Sequence, residues 1–183
     1  SENYPRSNVE SAINALEEAE ILRTYDESNR DERFLRQYSF IDEFTSSSTD
    51  TGEVMNKLKE TQISIFGLGG IGSWMAKGLY QMGVGNFILC DPGKVSKSNL
   101  NRQLFFERGD VGKYKVDIVG SALKDSQVRT YKEFVSAENK LDELVSTSDL
   151  IINCADNPDV YSTSRVLEGY SKKYAVPFCV AGG

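Results

Sequence analysis

Ile63-Ser64-Ile65-Phe66-Gly67-Leu68-Gly69-Gly70-Ile71-Gly72 is the stretch that decides the fold. It opens with β-branched and aromatic residues alternating with a small polar one, the pattern of a buried central strand. It turns through Gly67, Gly69 and Gly70, and Gly72 stands where a helical pattern begins. A strand feeding a glycine-rich turn and then a helix builds an anion site. Glycine lets the backbone turn tightly and approach a phosphate, and the unpaired N–H groups of the first helical turn point toward it. The helix dipole adds about 0.3–1 kcal/mol for a negative charge.

Working outward, residues 71–82 are expected to form the helix, with Ile71, Met75, Leu79 and Met82 on one face. A second strand over 86–90 ends in Asp91, nineteen positions after Gly72. An acid at the end of the second strand of a nucleotide-binding unit accepts hydrogen bonds from ribose hydroxyls. The competing reading is an ordinary turn with tight helix–strand packing, in which Asp91 only opens the turn through Pro92 and Gly93. The glycines do not say which nucleotide binds.

The 183 residues suffice for one domain with a well-buried core and an appendage. A net charge of −6 disfavours a general nucleic-acid-binding role. No apolar run approaches the roughly 20 residues that span a bilayer, and the first residues do not read as a signal peptide. Cys90, Cys154 and Cys179 form no C-x-x-C pair. Each sits in or at the end of an apolar run and reads as a small core residue, which suits a reducing, cytoplasmic setting. With no histidine in these residues, imidazole bases, Ser–His or Cys–His pairs and histidine-bound metals are excluded within them.

Residues 1–50 read as a helical appendage and linker, and 51–183 as the main domain. Val9, Ala12, Ile13, Leu16 and Ala19 recur at helical spacing, predicting an amphipathic helix over 8–23 that covers its own domain, a partner or a peptide. Basic and aromatic residues interleave over 31–40. Residues 45–52, rich in Ser and Thr, read as a mobile linker, and 55–59 as a short helix. Beyond Asp91 comes a polar segment with Ser98 as a candidate helix cap. A helix to about residue 124, a strand over 128–134, a helix over 137–145, a strand over 149–154, a helix over 158–174 and a strand over 177–181 follow. Alternating strands and helices predict a Rossmann-like α/β fold: a mainly parallel sheet, right-handed crossovers and helices on both faces.

Ligands of open parallel sheets bind beyond the carboxyl ends of the strands. The loop 67–72, Asp91 and Asp156 all fall at such ends and should converge on one crevice, within reach of Arg102 and Lys115. Asp156 suits Mg²⁺, which takes one or two carboxylates plus phosphate oxygens; its alternative is a cap ahead of Pro158.

Taken together, the glycine loop, Asp91, Ser98-Asn99-Leu100-Asn101-Arg102-Gln103, Val111-Gly112-Lys113-Tyr114-Lys115 and Cys154-Ala155-Asp156-Asn157 resemble, in order and spacing, the activating-enzyme superfamily. That superfamily includes ubiquitin-activating enzymes and the adenylyltransferases of thiamine and molybdopterin biosynthesis. Arg33-Phe34-Leu35-Arg36-Gln37 is similar to its upstream arginine element. The resemblance covers about residues 31–183. It implies ATP-dependent adenylation of the C-terminal carboxylate of a small carrier protein or precursor peptide, with release of pyrophosphate. It implies that Gly67, Gly69, Gly70 and Gly72 line the nucleotide and Asp91 holds the ribose. Asn99, Arg102, Gln103 and Lys115 would hold phosphates, and Asp156 Mg²⁺. Arg36 would act across a homodimer.

Three departures stand out. Gly93 occupies the place of a frequent second acid. The sequence stops in the middle of the family's fold, so a zinc site or acceptor cysteine cannot be assigned, and the linker at 45–52 is longer than in compact members. The first helix also looks like the end of a peptide clamp fused to some members. Two other readings compete: a nicotinamide-dependent oxidoreductase, which leaves Arg102, Lys115 and Asp156 unexplained, and a non-catalytic partner subunit.

Overall fold

The computed structural model describes residues 5–19, 21–22, 30–45 and 48–182. The chain divides into two compact units, Ser1–Asn56 and Lys57–Gly183.

The first unit is helical. Helix α1, Arg6–Glu18, has no buried residue. It is shorter than the spacing predicts, and residues 20 and 23 of the expected helix lie outside the described ones. Its apolar Val9, Ile13 and Leu16 are exposed. A 3₁₀ turn, Glu32–Phe34, is capped by the Asp31 carboxylate, which accepts from the Arg33 backbone N–H at 2.9 Å. It leads into α2, Leu35–Asp42.

The expected linker at 45–52 is largely helix instead: α3 runs Ser48–Glu60. The reason is a buried polar knot. The Asp42 carboxylate receives both Arg30 guanidinium nitrogens at 2.9 and 3.1 Å and the Thr51 hydroxyl at 2.6 Å. The Thr45 and Thr51 hydroxyls pair at 2.7 Å. A buried carboxylate is tolerable only when its lone pairs are met in this way, so the Ser/Thr-rich composition here supplies donors.

The second unit carries one five-stranded sheet. In chain order its elements are β1 (Gln62–Phe66), α4 (Gly70–Gln81), β2 (Asn86–Cys90), α5 (Lys115–Ala122), β3 (Gln127–Tyr131), α6 (Asp142–Val145), β4 (Leu150–Asn153), α7 (Val160–Tyr174) and β5 (Phe178–Val180). The strand order is β3-β2-β1-β4-β5 and every pairing is parallel. This is the Rossmann-like architecture that the alternating pattern predicts.

Alternate residues of each strand feed two cores. Ile63, Ile65, Phe87, Leu89 and Ile152 pack with Ala76, Val116 and Val119 of α4 and α5. Phe66, Ile88, Ile151 and Leu167 pack with Leu144 and Val145 on the other face, under α6 and α7. Helices therefore cover both faces, as a parallel sheet requires. Ser64 is polar within this second face because its hydroxyl meets the Leu144 carbonyl at 2.6 Å and the Ser148 hydroxyl at 2.5 Å.

The inward face of α4 differs from the expected stripe. Gly72 and Ala76 are buried and Met75 and Leu79 lie against the core, whereas Ile71, Trp74 and Met82 are exposed. Cys90 is a core residue, Cys154 is half-buried and Cys179, expected in the core, is exposed on β5. No helix among the described residues is long and apolar enough to cross a membrane.

Candidate active site

The order of the strands reverses at β1, with β2 on one side and β4 on the other. Beyond their carboxyl ends lies a cleft of about 220 Å³ walled by Gly67, Asp91, Gly93, Glu133, Phe134 and Asp156, among others. This is the switch point at which parallel α/β sheets bind ligands.

The glycine turn is fitted to that point. Gly67 has φ +89°, and a Cβ on it would stand 2.6 Å from the Ala155 nitrogen and the Cys154 carbonyl. A Cβ on Gly72 would stand 1.8 Å from the Gly67 carbonyl oxygen. These two glycines close the turn against the end of β4. Gly69, which precedes the first turn of α4, has open space where its Cβ would be.

Asp91 is nearly buried, with 7 % of its surface exposed. One carboxylate oxygen accepts from the Leu68 N–H and the other from the Gly93 N–H, both at 2.6 Å. It thus opens the 92–93 turn and also ties the glycine loop to β2. Lys115, at the start of α5, sets its Nζ 3.9 Å from Asp91 Oδ2. A Cβ on Gly93 would fall 2.8 Å from Asp91 Oδ1 and 3.5 Å from Lys115 Nζ. The space beside Gly93 is thus filled by the Asp91–Lys115 pair.

Arg102 crosses the first turn of α4, its Cδ 3.9 Å from the place of a Cβ on Gly70. Its Nη1 donates to the Ser98 carbonyl at 2.7 Å and to Asn101 Oδ1 at 3.1 Å. Ser96, not Ser98, precedes the 3₁₀ turn Lys97–Asn99 as its cap. Asn99 Oδ1 accepts from the Ser96 N–H at 2.9 Å, a bond that orients the amide and does not use its nitrogen donors. Gln103 is 6 % exposed, and its Oε1 is buried with no hydrogen-bond partner. A buried carbonyl left in that state costs about 1–3 kcal/mol, and it is the orphan atom of the site.

Asp156 is exposed at the rim of the cleft. Asp159, rather than Asp156, caps α7: its carboxylate accepts from the Ser162 N–H at 2.8 Å and the Ser162 hydroxyl at 2.7 Å. The backbone N–H at Ser162 holds the Asp159 carboxyl below its ordinary range. The loop bearing Asp156 is set by two residues that the sequence reading missed. Asn153, fully buried at the end of β4, accepts from the Ala155 N–H and donates to Thr163 Oγ1, each at 3.0 Å. Thr163 in turn donates to the Ala155 carbonyl at 2.8 Å.

Glu133, Phe134 and Val135 were also missed, since the strand was expected to run to 134 and ends at Tyr131. Lys132-Glu133, which breaks the strand's alternation, was the available signal. Arg36 lies exposed on α2, in the first unit. No group of three or more Cys, Asp or Glu suited to a metal occurs among the described residues. The rim carboxylate of Asp156 still fits Mg²⁺, which takes one or two carboxylates and keeps its other ligands as water and phosphate. Burial pushes the Cys90 and Cys154 thiols up to about 12, so neither is a thiolate at neutral pH.

Residues 35–183 match the ThiF family. The chain belongs to the ThiF family. Among relatives, it is 30 % identical over 137 residues to the tRNA threonylcarbamoyladenosine dehydratase of Haemophilus influenzae, covering 73 % of this chain and 51 % of that protein. It is 35 % identical over 107 residues to the molybdopterin-synthase adenylyltransferase of the same organism, covering 57 % and 44 %. Among solved structures, PaaA superposes with a TM-score of 0.78 at 28 % identity, over 99 % of this chain and 58 % of that one. Escherichia coli MccB with ATP gives a TM-score of 0.78 at 25 % identity, over 98 % and 53 %. This ThiF-family chain spans about half the length of the relatives it matches.

Proposed function

We propose that this ThiF-family protein adenylates the C-terminal carboxylate of a small carrier protein or peptide, using ATP with Mg²⁺. The observation that carries the reading is the cleft itself. Its walls carry Gly67 of the glycine turn and Asp91, at the carboxyl ends of β1 and β2, with Asp156 on its β4 side, and Lys115 Nζ lies 3.9 Å from Asp91. Adenylyltransferase relatives and the likeness to MccB with ATP support it.

In this reading the nucleotide enters the cleft with its ribose at Asp91 and its base beside the apolar Phe134 and Val135. The phosphates lie over Gly69 and the N-terminus of α4, where N–H groups and dipole favour them. Lys115, Arg102 and the Asn99 amide supply cationic and N–H donors. The buried Gln103 Oε1 accepts from a donor of the substrate or a water, and its Nε2 amide donates to a phosphate oxygen. Asp156 would hold Mg²⁺, which when bound neutralises phosphate charge. A substrate carboxylate oxygen bonds to the α-phosphorus. The bond from that phosphorus to the bridging oxygen breaks, and pyrophosphate leaves with the electron pair. Positioning and charge stabilisation suffice for such a transfer, and no histidine is needed.

Arg36 acts in this reading on the nucleotide of a second copy in a homodimer. The likeness to PaaA and MccB extends over the first unit as well, and in this reading residues 1–50 contribute to holding the substrate. The dehydratase relative favours a second reading, activation of a carboxylate carried on RNA; the net charge of −6 weighs against it. Substrate-dependent exchange of labelled pyrophosphate into ATP tests the proposal. Exchange with a peptide or a carrier ending in a free carboxylate is expected, and its absence with every carboxylate class would overturn it.

A further inference from the structure

In the run 98–103 the proposed site gives no task to the Asn101 side chain. Its Oδ1 lies 3.1 Å from Arg102 Nη1, and the same nitrogen donates to the Ser98 carbonyl at 2.7 Å. A guanidinium cannot accept, so Asn101 must present its carbonyl to it, which fixes the amide's orientation. Both acceptors fall on one nitrogen. The Nε and Nη2 donors are not used by either bond, while the side-chain stem lies across Gly70. Arginine binds phosphate through two parallel N–H donors, and the edge formed by Nε and Nη2 is one such pair. An exposed arginine side chain loses up to about 2 kcal/mol of rotamer freedom when it is fixed. A site that has already fixed it binds more tightly.

We propose that Asn101 is a positioning residue: with the Ser98 carbonyl, it clamps Arg102 by one nitrogen so that the opposite edge is held ready for the phosphates of the nucleotide. This rests on the reading above that Arg102 meets phosphate. Asn101 is exposed, so its replacement leaves the fold intact, and thermal unfolding of each variant checks that.

The test is calorimetric titration of ATP and of adenosine into the wild type, Asn101→Ala, Arg102→Ala and the double variant. Arg102→Ala is expected to weaken ATP about tenfold and Asn101→Ala about threefold. The double variant should match Arg102→Ala alone, and adenosine affinity should not change in any of them. Asn101→Gln, which keeps an amide carbonyl, should recover part of the loss. If Arg102→Ala binds ATP like the wild type, the phosphate role of Arg102 falls and this inference with it. If Arg102→Ala weakens ATP but Asn101→Ala does not, only the positioning role is overturned. A loss from Asn101→Ala that persists in the Arg102→Ala background, or that appears equally with adenosine, also overturns it.

Discussion

Two neighbouring glycines should respond in opposite ways to the same added methyl group. Gly67→Ala places a Cβ at φ +89°, 2.6 Å from the Ala155 nitrogen and the Cys154 carbonyl group. The left-handed conformation costs an L-residue about 1–2 kcal/mol, and overpacking against atoms that cannot swing aside costs about 1–3 kcal/mol more. A total near 3 kcal/mol lowers Tm by about 6–12 °C. Gly69→Ala meets nothing within 4 Å, and its φ of −76° is open to any residue. The gain from a stiffer unfolded chain, about 0.4–1 kcal/mol, offsets the poorer cap that alanine makes. Stability should then stay within about 1 kcal/mol. The new methyl group instead occupies the space through which phosphate reaches the backbone, so ATP affinity should fall at least about tenfold, about 1.4 kcal/mol. Thermal unfolding by circular dichroism and calorimetric titration of ATP measure the two effects. If Gly69→Ala unfolds as early as Gly67→Ala, or binds ATP like the wild type, the division between a structural and a ligand-facing glycine is refuted.

Asp156→Ala should leave Tm within about 1 °C, because an exposed side chain outside any cap contributes little, while abolishing Mg²⁺-dependent pyrophosphate exchange; normal exchange would remove Asp156 from the site. Arg36→Ala should lose activity and regain part of it when mixed with Arg102→Ala, since one site of the mixed dimer is then intact; no recovery in verified mixed dimers would contradict action across subunits. Alkylation by iodoacetamide at pH 8 should label exposed Cys179 and spare Cys90 in the folded protein. Four pH units below about 12, only about one Cys90 in 10⁴ is a thiolate; early labelling of Cys90, read by peptide mass spectrometry, would contradict its burial. The same thiol makes a signed pH prediction. Its folded value lies above the ordinary 9.0, so the folded state holds the proton more tightly, and stability falls as pH rises from 9 toward 12. Replacing Cys90 by Ala should flatten that decline in a denaturant series.

Much of the fold was legible because its signals are local. The strand at Asn86–Cys90 and the acid that ends it stand in sequence as they stand in the structure. The turn chemistry of Gly67 and Gly72 is likewise written in the residues. What was not legible depends on tertiary partners. Residues 45–52 have the composition of a mobile linker, yet Thr51 is buried on Asp42, whose other partner, Arg30, is far off in sequence. Asn153 reads as a polar end to an apolar strand; its task, joining Ala155 to Thr163, is visible only once α7 is folded over β4. Cys179 has core-like neighbours in sequence but lies on an outer strand of the sheet, where its side chain is left exposed. Gln103 was expected to meet phosphate through its amide N–H; that its carbonyl oxygen is buried without a partner depends on the folded surroundings and is not written in the sequence.

The most direct test of nucleotide use is calorimetric titration of this protein with ATP and Mg²⁺, and separately with NAD, in the wild type and in Asp156→Ala. Adenylation predicts saturable ATP binding that weakens in Asp156→Ala, with no heat from NAD. Saturable binding of NAD with none of ATP would contradict it and return the cleft to a dehydrogenase.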